Sequence, residues 1–482
     1  MSSPNITFSE IPSSIRKPGN YGEFNLSAGK VGLPANPVDV LLIAQGLSTG
    51  IVDQLVPTRV FGAADASLYF GAGSIAHLAT KAAFESNPYL RLTVITVDDS
   101  GTGVAATGTF ALSGPATGAG VFTARIGNRS VNVAVASTDT ASTVGAAIKA
   151  QIDLIAHELP VTATVDTGTV TLTARNKGTL GNEIPISTES TAAGLTCVDT
   201  GMASGANDPD IGATSSVLDT VLPGSYNLYI STLNDAASLG DLKAHIDLIS
   251  NAIEQRPTLC VFGFTHKSDT YANCKTLCGT TLNHWRTTCG YLRGTRSISW
   301  EVAVAYGAQI AYEENPTMPL NDVVLKGIHA PAVGSRFSRT EQEDLLNSGV
   351  TPLHVVAGEE VAIVRAITTY TKNASSVADP TRLDISVPRA LDFVRYSCRY
   401  RVTIRYPRRK NTGAFRKNLR SDLLDVLYLL EAPGVEVVQN MATWEEYLIV
   451  EEDSQDDTRV NARIPADIVH GAHVLAMRID LL

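Results

Sequence analysis

No apolar run in this chain is long enough to cross a bilayer as a helix; the longest, such as Val38 to Ala44, stop far short. Cysteine is scarce, 6 in 482 residues, which excludes a disulfide-built scaffold. Net positive charge is missing as well. The formal charge is −10 at pH 7, so there is no general attraction to nucleic acid. Met1-Ser-Ser-Pro-Asn-Ile-Thr-Phe8 lacks a basic stretch followed by an apolar one, so no secretory leader is expected. Together these absences predict a soluble protein, made and kept in a cytoplasm, with no nucleic-acid partner and no stable membrane association.

What is present is enough globular sequence for roughly two to four domains. Residues 1–36 carry Pro4, Pro12, Pro18 and Pro34, which exclude a regular helix; short pieces such as Ile6-Thr-Phe8 are strand-capable. An extended N-terminal arm or a disordered tail fits this composition. Val38 to Ala44 and Leu90 to Val97 read as buried strands. Between them Asp65 and Ser74 are candidate caps for two helices. This β–α–β opening is the first part of an α/β domain, 37–97. From 98 to 210 Thr, Ala, Gly, Ser and Val dominate. Short strands recur there around one helix that places Val144, Ile148, Ile152 and Ile155 on one face. We read 98–210 as an inserted, mostly β domain. The α/β alternation resumes over 211–386, so the fold class is α/β, with a largely parallel or mixed central sheet and flanking helices. Strands are expected at Tyr226–Ile230, Thr258–Phe264, Thr288–Leu292 and Val361–Tyr370, and helices over 268–282 and 299–312.

Residues 387–482 read as a small α+β C-terminal domain. Tyr396 to Tyr406 alternates bulky residues with arginines and predicts a half-buried strand. A helix is predicted over 412–431, halted by Pro433-Gly434, with further strands at Glu436–Val438 and Glu446–Glu451. The last residues, His473 to Leu482, alternate as a terminal strand, an unpaired edge suited to another chain.

Phe70-Gly-Ala-Gly-Ser-Ile75 opens a helix but lacks the lysine of a phosphate cradle, so a capped helix start is the better reading. His470-Gly-Ala-His473 resembles a protease histidine motif only faintly, and no serine follows it. Cys274 and Cys278 are one helical turn apart, with Cys260, His284 and Cys289 nearby in sequence. The spacing is not that of paired zinc knuckles, and free core cysteines are expected. The acidic pairs Asp98-Asp99, Glu313-Glu314, Glu359-Glu360 and Glu445-Glu446 are read as solvated turns. No catalytic, metal or cofactor residue is assigned. One group stands out: Arg395, Arg399, Arg401, Arg405, Arg408, Arg409, Lys410, Arg416, Lys417 and Arg420, interleaved with Tyr396, Tyr400 and Tyr406. A nucleic-acid face would use such a patch. An acidic protein surface suits it better, for which the run Glu451 to Asp457 is one internal candidate.

The order of these modest motifs resembles a family. Pro18-Gly-Asn-Tyr-Gly-Glu-Phe-Asn25, Val40 to Gly46, Phe70 to Ser74, Val170 to Gly178, Gly181 to Ile184 and Gly290-Tyr-Leu-Arg293 are similar to the pattern of contractile-tail sheath proteins of the Mu-like bacteriophage (myovirus) type. The resemblance runs over nearly the whole chain. It implies a non-enzymatic structural subunit, with the central part called subtilisin-like only in domain nomenclature. It implies stacked rings of identical copies around a tail tube protein, contraction that drives the tube through the host envelope during genome delivery, and baseplate and neck or tail-terminator partners. The expected location is the virion tail, after assembly in the host cytoplasm. Terminal arms would add strands to neighbouring copies, with Ile6 and Phe8 at one end and Val474, Leu475, Met477 and Ile479 at the other. The cluster Arg408, Arg409, Lys410, Arg416, Lys417 and Arg420 is expected to face the tube. The readings from other classes are an α/β-fold hydrolase and a non-contractile adhesin or surface protein.

Overall fold

A computed structural model describes Ser14 and residues 16–22, 32–265 and 271–481. Ile6, Phe8 and Leu482 lie outside the described residues, so the N-terminal arm residues named above are not located. The chain divides into two compact units: Asn36–Phe393 with Ile468–Leu482, and Val394–Asp467 with the residues before Asn36.

In the larger unit β1 (Asp39–Gln45) is followed by β2 (Thr58–Val60), α1 (Ala63–Phe70), α2 (Ile75–Ser86) and β3 (Arg91–Val97). Ser74 caps α2 by accepting from the His77 amide, as its sequence position predicts. Asp65 is not a cap. It sits in the first turn of α1, where its carboxylate accepts from the Phe61 amide.

The next stretch holds seven strands and a helix: β4 (Thr107–Ser113), β5 (Gly120–Ile126), β6 (Arg129–Val135), α3 (Ala141–Leu154), β7 (Val161–Asp166), β8 (Thr169–Ala174), β9 (Ile186–Ser190) and β10 (Thr196–Ala203). They form two antiparallel sheets, ordered β10-β4-β8-β7 and β6-β5-β9. Helix α3 packs against strands of both and buries Val144, Ile148 and Ile152. The chain enters and leaves this stretch side by side, because Val104 and Ala206 form an antiparallel bridge.

The α/β pattern then returns with α4 (Val217–Val221), β11 (Leu228–Ser231), α5 (Ala236–Ser250), β12 (Leu259–Phe264), α6 (Tyr271–Thr276), a π-helical turn (Leu277–Leu282), β13 (Thr287–Tyr291), α7 (Ser299–Tyr312), β14 (Val324–Leu325), α8 (Arg339–Asn347), β15 (Thr351–Val356) and β16 (Glu360–Ile363). One nine-stranded sheet results, in the order β14-β16-β15-β13-β12-β11-β1-β3-β2. Its centre is parallel, from β3 through β1, β11, β12 and β13 to β15. These strands are continuous apolar runs because helices cover both faces. Helix α7 is apolar nearly all round and is buried from Ser299 to Ile310 except at Glu301. It approaches the sheet closely at Gly263, where an added Cβ would stand 2.6 Å from the Ser299 carbonyl oxygen. The expected strand Val361–Tyr370 is shorter in the structure, ending at Ile363.

The two units share α9 (Ser386–Arg405). The strand expected over Tyr396–Tyr406 is therefore corrected: most of it is the second half of this helix. From Ala390 on, its buried positions are Ala390, Phe393, Val394, Ser397, Cys398 and Arg401, spaced one, three and four apart. Serine, cysteine and arginine occupy sites where apolar residues would have revealed the helical period, so only the local alternation was visible. The smaller unit adds α10 (Gly413–Glu431), α11 (Met441–Trp444) and the hairpin β17 (Ile449–Glu452) and β18 (Val460–Arg463). Thr412 caps α10 through the Phe415 amide, and Leu419, Leu423, Val426, Leu427 and Leu430 form its buried stripe. Glu436–Val438 forms no strand.

Candidate functional site

The place where an open α/β sheet holds a ligand is the crevice beyond the carboxyl ends of the strands at which their order reverses. Here that is the end of β1, which lies between β3 and β11. The crevice is closed by the protein itself. Gln45 Nε2 donates to Asp99 Oδ1 (2.7 Å) and to the Lys177 carbonyl (2.7 Å). Asn176 Nδ2 donates to the Gly46 carbonyl (2.8 Å), and the Lys177 amide to Asp99 Oδ2 (2.9 Å). The β-rich stretch thus plugs the position a substrate would take.

The glycine loop before α2 is likewise engaged. Gly71 and Gly73 have φ of 87° and 80°, which glycine adopts without strain. The Gly73 amide donates to His77 Nδ1 and the Ile75 amide to Asn176 Oδ1. Amides needed to cradle a phosphate already have partners. Burial, with Lys81 nearby, holds the His77 imidazole down to about 4, so it is neutral and able to accept at neutral pH.

His473 lies with Nδ1 3.1 Å from Asn321 Oδ1 and Nε2 3.4 Å from Asp384 Oδ1. Among the described residues no serine hydroxyl bonds to it. The acidic pairs have local partners: Glu359 pairs with Arg336, and Glu445 Oε2 accepts from Tyr428 (2.8 Å).

A cavity of about 300 Å³ opens between α2, the β5–β6 turn and the start of α7, lined by Lys81, Glu85, Arg129, Glu158, Glu301 and His329 among others. Among the described residues no serine, cysteine or threonine lines it. Glu158 is held by Lys81 (3.3 Å) and Arg129 (2.8 Å). Glu301 Oε2 accepts from the Ile298 amide and from Asn128 Nδ2, both at 2.9 Å. Burial pushes the Glu301 carboxyl up to about 7, with Glu85 adding and the Ile298 amide opposing. A folded carboxyl raised above its unfolded value binds its proton more tightly when folded. Its contribution is full below the unfolded value and is lost as pH rises through about 7. We expect the wild type to lose on the order of 2–3 kcal/mol from this group between about pH 5 and pH 8. Glu301→Gln keeps the acceptor oxygen and should remove that part of the slope. Guanidinium unfolding of both proteins at the two pH values checks it; parallel pH slopes would contradict it.

The smaller unit carries the charged surface. Arg401 is buried and donates to Asp425 (2.6 Å). Arg405 and Tyr406 both bond to Asp422. Arg416 pairs with Glu452 (3.0 Å), and Arg420 donates to the Leu448 and Glu445 carbonyls (2.8 and 2.9 Å). Of the six basic residues singled out in sequence, Arg416 and Arg420 therefore hold α10 to the β17 hairpin of their own unit. Arg408, Arg409, Lys410 and Lys417 are exposed. The acidic loop is also engaged locally, through Glu452 and through Asn411 Nδ2 on the Asp457 carbonyl (2.7 Å).

At the C-terminus residues 469–481 carry no strand among the described residues. Val474, Leu475, Met477 and Ile479 are 79–92 % exposed, and Leu481 is fully so. This is a run of apolar side chains in water at the end of a chain whose other large apolar residues are mostly buried.

Comparison with known proteins decides the family. The profile described as "Phage tail sheath protein central domain" matches residues 248–369, and "Phage tail sheath C-terminal domain" matches 377–481. The Mu-like prophage FluMu tail sheath protein of Haemophilus influenzae is 31 % identical over 499 residues, covering 99 % of this chain and 99 % of that protein. The chain belongs to the phage tail sheath family. Solved sheath-type assemblies share its fold. A chain of the PVC sheath complex of an extracellular contractile injection system, in the contracted state, superposes with a TM-score of 0.52 at 10 % identity, covering 97 % of this chain and 98 % of that one. A chain of the anti-feeding prophage baseplate gives 0.50 at 11 % identity, covering 97 % and 99 %. Sequence reasoning missed the internal pairing of the arginines. Asp422 and Asp425, six and three residues before Tyr428 on α10, were visible as acids, but nothing local says which arginines they meet.

Proposed function

We propose that this sheath chain polymerises as stacked rings of identical copies around a tail tube protein and contracts to drive the tube through a host envelope during genome delivery. Its place is the virion tail, reached from the host cytoplasm where copies assemble, with baseplate and neck or terminator proteins at the two ends. The role is structural and no reaction is catalysed; the subtilisin-like label carries no activity. The free energy of contraction lies in subunit contacts, so no cofactor is required.

The observation that carries this reading is the exposed run Val474, Leu475, Met477, Ile479 and Leu481, in a chain that also carries the β17–β18 hairpin, whose strands pair only with each other among the described residues. An edge strand adds a partner through main-chain hydrogen bonds with little demand on sequence, so identical copies can repeat it. In the domain layout, 1–36 is an arm, 37–97 and 211–386 form the sheath core, 98–210 is an outer domain, and 387–482 is the C-terminal domain with its arm. The tube-facing set reduces to Arg408, Arg409, Lys410 and Lys417, because Arg416 and Arg420 have partners in their own chain.

Negative-stain microscopy of the purified protein tests the class. Tubes or rings are expected, and single subunits under every condition would contradict it. A second expectation concerns the outer domain. Joining 104 to 206 through a short linker follows the bridge already present. The shortened chain should fold and still polymerise. A folded but assembly-dead product would make the 98–210 stretch part of the mesh.

A further inference from the structure

Three of the six cysteines meet in one place. Cys274 on α6, Cys278 on the π-helical turn and Cys289 on β13 are buried, and their sulfur atoms all lie within 4.8 Å of one another. Cys260 is buried on the neighbouring strand β12, paired in register with Thr287, and stands outside the cluster. The helical spacing of Cys274 and Cys278 is visible in sequence. The third sulfur arrives only when β13 is laid beneath α6.

The backbone around the cluster is unusual as well. Residues Leu277–Leu282 take a π turn, a rare conformation frequent at functional sites. The Asn283 amide bonds to the Cys278 carbonyl at 2.9 Å, five residues back, and Asn283 itself ends the turn with φ of 37°. The turn is clamped from the other side: a Cβ on Gly279 would stand 2.7 Å from the Ser348 carbonyl oxygen. Cys278 is thus held at a fixed place facing two other sulfurs. The thiols already interact. Burial opposes ionisation of Cys278, yet hydrogen bonds from Cys274 and Cys289 outweigh it and draw that thiol down, while burial and the same neighbours push Cys289 up. Three buried sulfurs at this spacing form a donor set from which a soft cation displaces thiol protons.

We propose that Cys274, Cys278 and Cys289 bind one thiophilic d10 metal ion through three sulfurs. A metal–sulfur distance of about 2.3 Å in a trigonal shell requires sulfurs about 4 Å apart, which small side-chain rotations here provide. Three sulfur donors select soft ions such as Cu(I) or Zn(II) over hard ones. No fourth histidine, cysteine or carboxylate joins the group among the described residues. Structural zinc takes four ligands, so the low coordination number favours Cu(I). Binding exchanges thiol protons for the ion and ties the short α6 to the sheet at β13.

The test uses the full chain, purified anaerobically with a non-thiol reductant. One portion is offered Cu(I) from a chelator complex, another Zn(II), and each is desalted. The expected result is one ion per chain, with X-ray absorption showing a shell of three sulfurs, and Cu(I) retained better than Zn(II). Retention of Zn(II) alone in that shell supports the site and changes only the ion. Cys278→Ala and Cys289→Ala should each lower bound ion roughly tenfold or more, and Cys260→Ala should not. Where a cysteine variant fails to fold, alkylation of the wild type decides. The ion should protect Cys274, Cys278 and Cys289 and leave the other three cysteines as they were. No retained ion, a nitrogen or oxygen shell, or a disulfide within the cluster of protein isolated without reductant would overturn the proposal.

Discussion

Removing residues 474–482 should leave a folded chain that no longer polymerises. The deletion spares His473, which packs against Asn321 and Asp384, and removes side chains that touch little else, since Val474, Leu475, Met477, Ile479 and Leu481 stand in water. Folding therefore has little to lose. Assembly has much to lose. Burying five apolar side chains at about 2 kcal/mol each supplies roughly 10 kcal/mol. Fixing a segment of this length costs about the same, at about 1 kcal/mol per residue. Main-chain hydrogen bonds and the fit of the register then decide the sign, so pairing is weak for two free copies and strong once neighbours hold the segment in place. The same reasoning makes Leu475→Glu and Ile479→Glu sufficient on their own. Sedimentation of the truncated protein as a single subunit, with a wild-type melting profile, is expected; normal polymers from it would remove the basis of the account.

Reversing the charge of Arg408, Arg409, Lys410 and Lys417 should abolish tube-templated sheath while leaving tube-free polymers intact. Each exposed pair at a wet interface contributes only about 0.2–1 kcal/mol, but every copy in every ring repeats the set. Many weak contacts hold register and still release during contraction, which one buried apolar contact would resist. Arg408, Arg409 and Lys410 lie just before the N-terminus of α10 and oppose the dipole of that helix, so local stability does not explain them. Arg416→Glu is the discriminating control. Arg416 pairs with Glu452 of its own chain, so its reversal should loosen α10 from β17 and damage both kinds of polymer. Co-assembly with and without purified tube separates these results, and equal loss of both kinds from the four-residue variant would assign the patch to sheath–sheath contact.

The fold was legible where one physical signal dominated. The run Val40 to Ala44 could only be a strand covered on both faces, and it is β1. The helix expected over 412–431 and halted by Pro433-Gly434 is α10, Gly413–Glu431. Legibility failed in α9, where buried Ser397, Cys398 and Arg401 carry the helical period without apolar side chains. Arg401 tolerates burial because Asp425 faces it from α10, a tertiary fact with no local trace. The same holds for the charged surface. Its composition was plain in sequence, but which cations remain free depended on where Asp422, Asp425 and Glu452 came to lie. The sulfur cluster was half legible, since Cys274 and Cys278 share a helix face and Cys289 joins them only through the sheet.

The central claim is that the end of one copy becomes a strand in the next. The most direct measurement is a helical reconstruction of the polymer by cryo-electron microscopy, at a resolution that traces the backbone. The account predicts residues 474–481 of each copy hydrogen-bonded along β17 or β18 of a neighbour. An ordered polymer in which this segment folds back on its own chain, or projects free into solvent, would contradict it.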